Sequence, residues 1–191
     1  MEKASSKKYE IDMCNGPLLG KIMIFYVPLM LSGILQLLFN AADIVVVGRF
    51  AGNQALAAVG STGSLTNLLV NIFIGLSVGA NVLVARYYGA KQDIQLKEMV
   101  QTAIATALAG GIILIFLGFF LARPALGWMG TPDDVISHSV LYMRIYFAGM
   151  PFMMVYNFGS AVLRAVGDTK RPLYYLLIAG VVNVVMNLVF E

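Results

Sequence analysis

Asp43 is the side chain with the clearest capacity for chemistry, because it is the only charged group in the two long apolar runs from Ile22 to Gly48 and from Leu56 to Ala85. A carboxylate at the centre of a membrane helix costs about 2.5 to 3.5 kcal/mol on insertion scales and usually marks a function. Its oxygens can take a proton or ligate a hard cation such as Na⁺, which is what an ion-coupled pump requires. Ser32, Gln36, Asn40 and Asp43 fall within an arc of roughly 80° at about 100° per residue. A position five residues before Gly48 can also be wetted at the bilayer surface. A polar stripe reaching back to Ser32 is more than such a position needs, so one face of this helix is expected to line a cavity.

Uncharged amides extend the pattern. Ser64, Asn67 and Asn71 share a face, Asn183 and Asn187 stand one turn apart, and Asn157 is alone in its segment. Gln36, Asn40, Asn67, Asn71 and Asn157 are candidates for lining a substrate cavity. The alternative for each amide is an interhelical hydrogen bond, worth about 0.6 to 2 kcal/mol in membranes. Gly75 and Gly79 form a small-xxx-small pair, whose physical meaning is close backbone approach.

Catalysis is not expected. No second acid lies inside the apolar segments to pair with Asp43, and the one histidine, His138, sits beside Asp134 and Ser137 in a polar loop, as an interfacial residue does. The single cysteine, Cys14, excludes an intrachain disulfide and a cysteine metal site. No cofactor is implied beyond a coupling ion.

The elements that must position these groups follow from composition. The chain is 59% hydrophobic and 12% charged, with mean hydropathy +0.81, far from the makeup of a water-soluble domain. The expected fold is all-α: a polytopic membrane helix bundle with spans at about 22–48, 56–85, 99–122, 139–163 and 172–191, after a polar tail over 1–20. Each reaches the roughly 20 residues that cross a bilayer. Pro28 and Pro151 are compatible with membrane helices, where neighbours satisfy the carbonyls that proline frees. The first run is too long for a signal-peptide core and has no convincing small-residue cleavage site.

Positive charges order the topology. Lys3, Lys7, Lys8 and Lys21 precede the first span, Arg86, Lys91 and Lys97 occupy the second loop, and Arg164, Lys170 and Arg171 the fourth. The first and third loops hold one each, Arg49 and Arg123. The positive-inside rule then predicts a cytoplasmic N-terminus. Tyr87, Tyr88 and Trp128 border loops, where amphipathic rings prefer the headgroup level. Basic residues spread over separate loops, without a binding module, argue against a nucleic-acid partner. The fourth loop, Arg164 to Pro172, combines a glycine for the turn, Asp168 or Thr169 as a cap, and a proline able to open the next helix.

Four segments, taken together, resemble the N-terminal part of the multidrug and toxic compound extrusion (MATE) transporters. They are Pro28…Gln36…Asp43…Gly48-Arg49 with Leu56-Ala57-Ala58-Val59-Gly60; Gly75…Gly79…Ala85-Arg86-Tyr87-Tyr88-Gly89-Ala90; Met129-Gly130-Thr131-Pro132; and Leu163-Arg164-Ala165-Val166-Gly167-Asp168-Thr169-Lys170-Arg171-Pro172-Leu173. The resemblance implies a secondary transporter of the plasma membrane, coupling H⁺ or Na⁺ entry to export of small, often cationic amphiphiles by alternating access between two six-helix lobes. It implies that Asp43 is the coupling acid, with Asn183 and Asn187 as the fifth-helix polar pair. Many members carry an acid where this sequence has Asn187, which leaves Asp43 as the titratable group and weakens the case for Na⁺. Members have about twelve helices, so about five correspond to an incomplete N-terminal lobe lacking its C-terminal partner. A lipid-linked flippase of the same superfamily and a non-transporting remnant or scaffold are the alternatives.

Overall fold

The computed structural model describes residues 11, 18–46, 48–49 and 52–190, without the side chains of 52–56, 58, 133–134 and 187–190. Cys14, Lys3, Lys7 and Lys8 lie outside the described residues, and so does the side chain of Asn187. Among the described residues six helices follow in order: α1 Leu18–Val46, α2 Gly52–Gly89, α3 Asp93–Trp128, α4 Asp133–Ala148, α5 Met150–Ala165 and α6 Lys170–Phe190. Three of them, α1, α2 and α3, contain segments long and apolar enough to cross a membrane.

The expected span at 139–163 is two helices. Pro151 has no N–H for the carbonyl one turn back, and the helical path is interrupted at Gly149. The Gly149 N–H still donates to the Ile145 carbonyl at 3.3 Å, and the Met153 N–H donates to Gly149 at 3.3 Å. The pair is therefore one kinked crossing. With α4 and α5 counted together, the helices alternate in direction, and the basic loops gather at one end of the bundle. At that end the Ile11 N–H donates to the Gly167 carbonyl at 3.4 Å.

The core lies among α2, α3, α4 and α5, where Leu114, Leu126, Met143, Phe147, Met150, Met154 and Phe158 are buried. Helix α3 presents Ala103, Ala107, Gly110, Gly111, Gly118 and Ala122 along its buried face, recurring at three- and four-residue steps. Small residues let backbones approach where lipid supplies no hydrophobic force between helices. A Cβ at Gly110 would strike the Phe73 ring, at Gly111 the Pro151 backbone, and at Gly118 the Phe147 side chain. Gly75 and Gly79 were the pair expected at a close approach. Both are exposed, and a Cβ at either meets nothing within 4 Å among the described residues.

Local chemistry sets the turns. Helices α2, α3 and α5 end with a residue of positive φ, Lys91 at 56°, Gly130 at 72° and Gly167 at 89°. The hydrogen bonds Gln92 to Tyr87 (3.0 Å), Thr131 to Leu126 (3.1 Å) and Asp168 to Leu163 (2.9 Å) close each turn in the Schellman pattern. The next helix is capped as the loop sequence predicts. Asp168 Oδ1 accepts from the backbone N–H groups of Lys170 and Arg171, both at 3.1 Å, and its Oδ2 lies 3.2 Å from Arg171 Nε.

Candidate functional site

Gln36, Asn40 and Asp43 stand on one face of α1. Gln36 and Asn40 are exposed, and Asp43 is half-buried. Ser32 lies on that face too, but it is buried, and its Oγ donates to the Pro28 carbonyl of its own helix at 2.8 Å. Its hydroxyl serves the backbone near the proline, so the open polar stripe begins at Gln36.

Helix α1 packs along α6, with Phe39 set where Gly180 leaves space that any side chain would fill. The two helices run parallel. Advancing one turn from that contact brings Asp43 to the level of Val184, so Asn183 sits at the height of the carboxylate. Asn183 is exposed, and the backbone of Asn187 follows one turn further along α6.

On α4, Tyr142 stacks on Tyr146 one turn on, with ring centroids 6.1 Å apart and planes 25° apart. Tyr146 in turn meets the buried Phe147 ring edge to face at 6.1 Å. Both tyrosines are half-buried. Sequence reasoning missed them, although their signal was present: two phenols one turn apart inside an apolar span, away from the headgroup level that tyrosine usually occupies.

The remaining candidates are dispersed. Asn67 and Asn71 are exposed on α2, and Asn71 Nδ2 donates to the Asn67 carbonyl at 2.8 Å. Asn157 on α5 is half-buried, with Nδ2 buried and lacking a hydrogen-bond partner. Leaving a buried amide donor unpaired costs about 1 to 3 kcal/mol, so this atom is available to a ligand oxygen or a water. An interhelical hydrogen bond that was not anticipated joins α2 to α5: Asn81 Nδ2 donates to the Ala161 carbonyl at 2.6 Å. Ser61 and Ser139 link α2 to α4 at 3.1 Å. His138 is exposed.

The candidate groups are thus a carboxylate on α1 and an amide on the adjoining α6, with a phenol pair on α4, all uncharged apart from Asp43. Among the described residues no group of three or more His, Cys, Asp or Glu could hold a metal. A cation bound here would draw on Asp43, amide and phenol oxygens. A shallow open groove lined by Asp93, Ile94, Lys97, Glu98 and Gln101 lies at the start of α3, away from Asp43, and shares none of these residues.

The family model MatE matches residues 28–189. The chain belongs to the MatE family. The probable multidrug resistance protein YoeA of Bacillus subtilis (strain 168) is 38% identical to this MatE chain over 163 residues, 85% of this chain and 35% of YoeA. An FAD transporter of Shewanella oneidensis is 26% identical over 158 residues, 82% of this chain and 35% of that protein. Among solved structures, a MOP superfamily transporter from Pyrococcus furiosus Vc1 (DSM3638) superposes with a TM-score of 0.81 at 24% identity, over 87% of this chain and 37% of that one. The fold is therefore that of the N-terminal lobe of a MATE transporter, a multi-pass membrane protein. The family consists of transporters rather than enzymes. The chain spans little more than a third of the length of these relatives.

Proposed function

We propose that this chain forms the first lobe of a cation-coupled exporter of small amphiphilic organic compounds, with its N-terminus on the cytoplasmic side of the plasma membrane and Asp43 as the coupling group. The observation that carries the reading is a half-buried carboxylate inside the apolar span α1 of a MatE-family chain. Protonation, or capture of Na⁺, neutralises that carboxylate between helices where charge is costly. A ligand shifts a two-state equilibrium only by its differential affinity for the states. A cation held in one arrangement of α1 against α6 and released in the other would provide that difference. Asn183 and Asn187 would complete the cation site, and Gln36, Asn40, Asn67, Asn71 and Asn157 would line the path taken by substrate. The second lobe is the partner this mechanism requires, since repeat-built transporters bind at the interface of their halves.

The multidrug resistance relative and the FAD transporter relative suggest different cargo charges. Arg144 helps to choose. Two residues beyond Tyr142, it points about 200° away from it around α4, so the side bearing Tyr142 gains no positive charge from it. That favours a cationic or neutral amphiphile over a polyanionic lipid-linked cargo.

The test is efflux of ethidium, and in parallel of FAD, from energised cells lacking their own pumps, using the chain joined to a matching second lobe. Asp43→Asn is expected to lower ethidium export roughly tenfold or more at equal membrane expression, and Tyr142→Phe to lower it less. Unchanged export by a correctly inserted Asp43→Asn chain overturns the coupling assignment. Export of FAD alone overturns the cargo assignment.

A further inference from the structure

Arg144 presents a separate problem, independent of whether the chain exports anything. It is about 15 Å along α4 from Asp133 and Asp134, and its contact on α3, Phe119, is about 14 Å from Trp128 at 1.5 Å per residue. Trp128 is 87% exposed and marks the headgroup level, so the guanidinium lies well inside the apolar layer. An arginine at such depth is costly unless it is paired. Among the described residues no carboxylate pairs with it. Its Nη2 donates to the Phe119 carbonyl at 3.4 Å, long for an N–H···O bond. Its Cζ stands 4.9 Å from the Phe119 ring centroid, and its Nε is buried without a partner. One long bond and one ring face leave most of five donors unused.

The surroundings show from which side a partner must come. Phe116, Phe119 and Phe120 on α3, and Leu141 and Ile145 on α4, are all exposed, and Phe116 and Phe120 stack at 6.5 Å. This apolar belt lies beside Arg144 and is uncovered among the described residues. Arg123 is exposed one turn from Phe119 towards Trp128, on the same face of α3. Two positive side chains therefore line the α3–α4 groove, Arg144 towards the bilayer centre and Arg123 nearer the headgroups.

We infer that the α3–α4 groove is a binding site for an anionic phospholipid, whose phosphate is held by Arg144 and Arg123 while its acyl chains lie on Phe116, Phe119, Phe120 and Ile145. The planar guanidinium fork matches phosphate oxygens. Basic pockets between membrane helices recognise lipid headgroups by this chemistry. The depth difference is bridged by the length of the arginine side chain and by local thinning of the bilayer, which arginines at depth induce.

The experiment uses the full 191-residue chain purified in neutral detergent and titrated with phosphatidylglycerol, phosphatidylcholine or inorganic phosphate, reading lipid retention by native mass spectrometry and the thermal midpoint. The expected result is a retained phosphatidylglycerol that raises the midpoint. Arg144→Gln should weaken its apparent affinity about tenfold, Arg123→Gln less, and Arg144→Lys should keep part of it. Equal retention of phosphatidylcholine, an equal effect of inorganic phosphate, or an unchanged response of Arg144→Gln overturns the site. If Arg144→Gln does not fold, a phosphatidylglycerol carrying a diazirine in its acyl chain decides on the unmutated chain. Crosslinks on α3 and α4 near Phe119 support the site, and crosslinks confined elsewhere overturn it.

Discussion

Single residues in this protein do their work by satisfying backbone groups at helix ends. Asp168 is 1% exposed, caps α6 through two backbone N–H groups and also meets Arg171. The preceding turn depends on Gly167, where a Cβ would strain the positive φ and press on the backbone of Ile11. Asp168→Ala is expected to cost about 0.5 to 2 kcal/mol as a lost cap, read as a lower thermal midpoint in detergent. Asp168→Asn should recover most of it, because Asn also accepts at a cap. Recovery by Asn and not by Ala would separate the capping role from the charge pair with Arg171. At Lys91 the same left-handed turn is made by a residue with a side chain, so Lys91→Gly is expected to be neutral or mildly stabilising.

At the scale of elements, α3 is the spine against which the other core helices close. Its alanines and glycines bring it against Phe73 of α2 and against the α4–α5 kink, where Gly111 meets Pro151 and Gly118 meets Phe147. A methyl group at Gly111 would meet backbone, which cannot swing aside as a flexible side-chain end can. Gly111→Ala and Gly118→Ala are therefore expected to lower stability by about 1 to 3 kcal/mol, the usual range for overpacking. Gly75→Ala, on an exposed face of α2, should change it by less than about 0.5 kcal/mol. Thermal unfolding of the three variants in one detergent checks the ranking, and equal losses would mean that α2 has a partner along Gly75.

At the scale of the molecule, α1 with α6 forms a pair whose extended packing is with each other, beside a tighter α2–α5 group. The pair meets the group through α5, where the Tyr156 hydroxyl donates to the Pro172 carbonyl of α6 at 3.2 Å. A weakly attached pair that carries Asp43 suits a movable element, since motion is drawn from regions with few buried contacts. The chain matches 35% of YoeA, and transport by two-lobed proteins requires both halves. Ethidium efflux is therefore expected from the chain completed with a second lobe and not from the 191-residue chain by itself. Efflux from the chain alone would require it to assemble with copies of itself.

Much of this was legible in the sequence because it depends on local, additive quantities. Hydropathy over some twenty residues decides that a segment enters lipid, and a lone Asp43 is costly there whatever surrounds it. Asp168 caps through neighbours two and three residues away, and the motifs from Pro28 to Pro172 place the chain in its family. The tertiary structure alone decided which faces meet. In lipid, helices are apolar nearly all round, so no hydrophobic stripe reports the buried side. For that reason the Gly75 and Gly79 pair was indistinguishable from the packed glycines of α3. The hydroxyl of Ser32 could not be known to turn back on Pro28, nor Asn81 to reach the Ala161 carbonyl. Each depends on how a helix is rotated about its axis, which packing between distant segments determines and no single segment encodes.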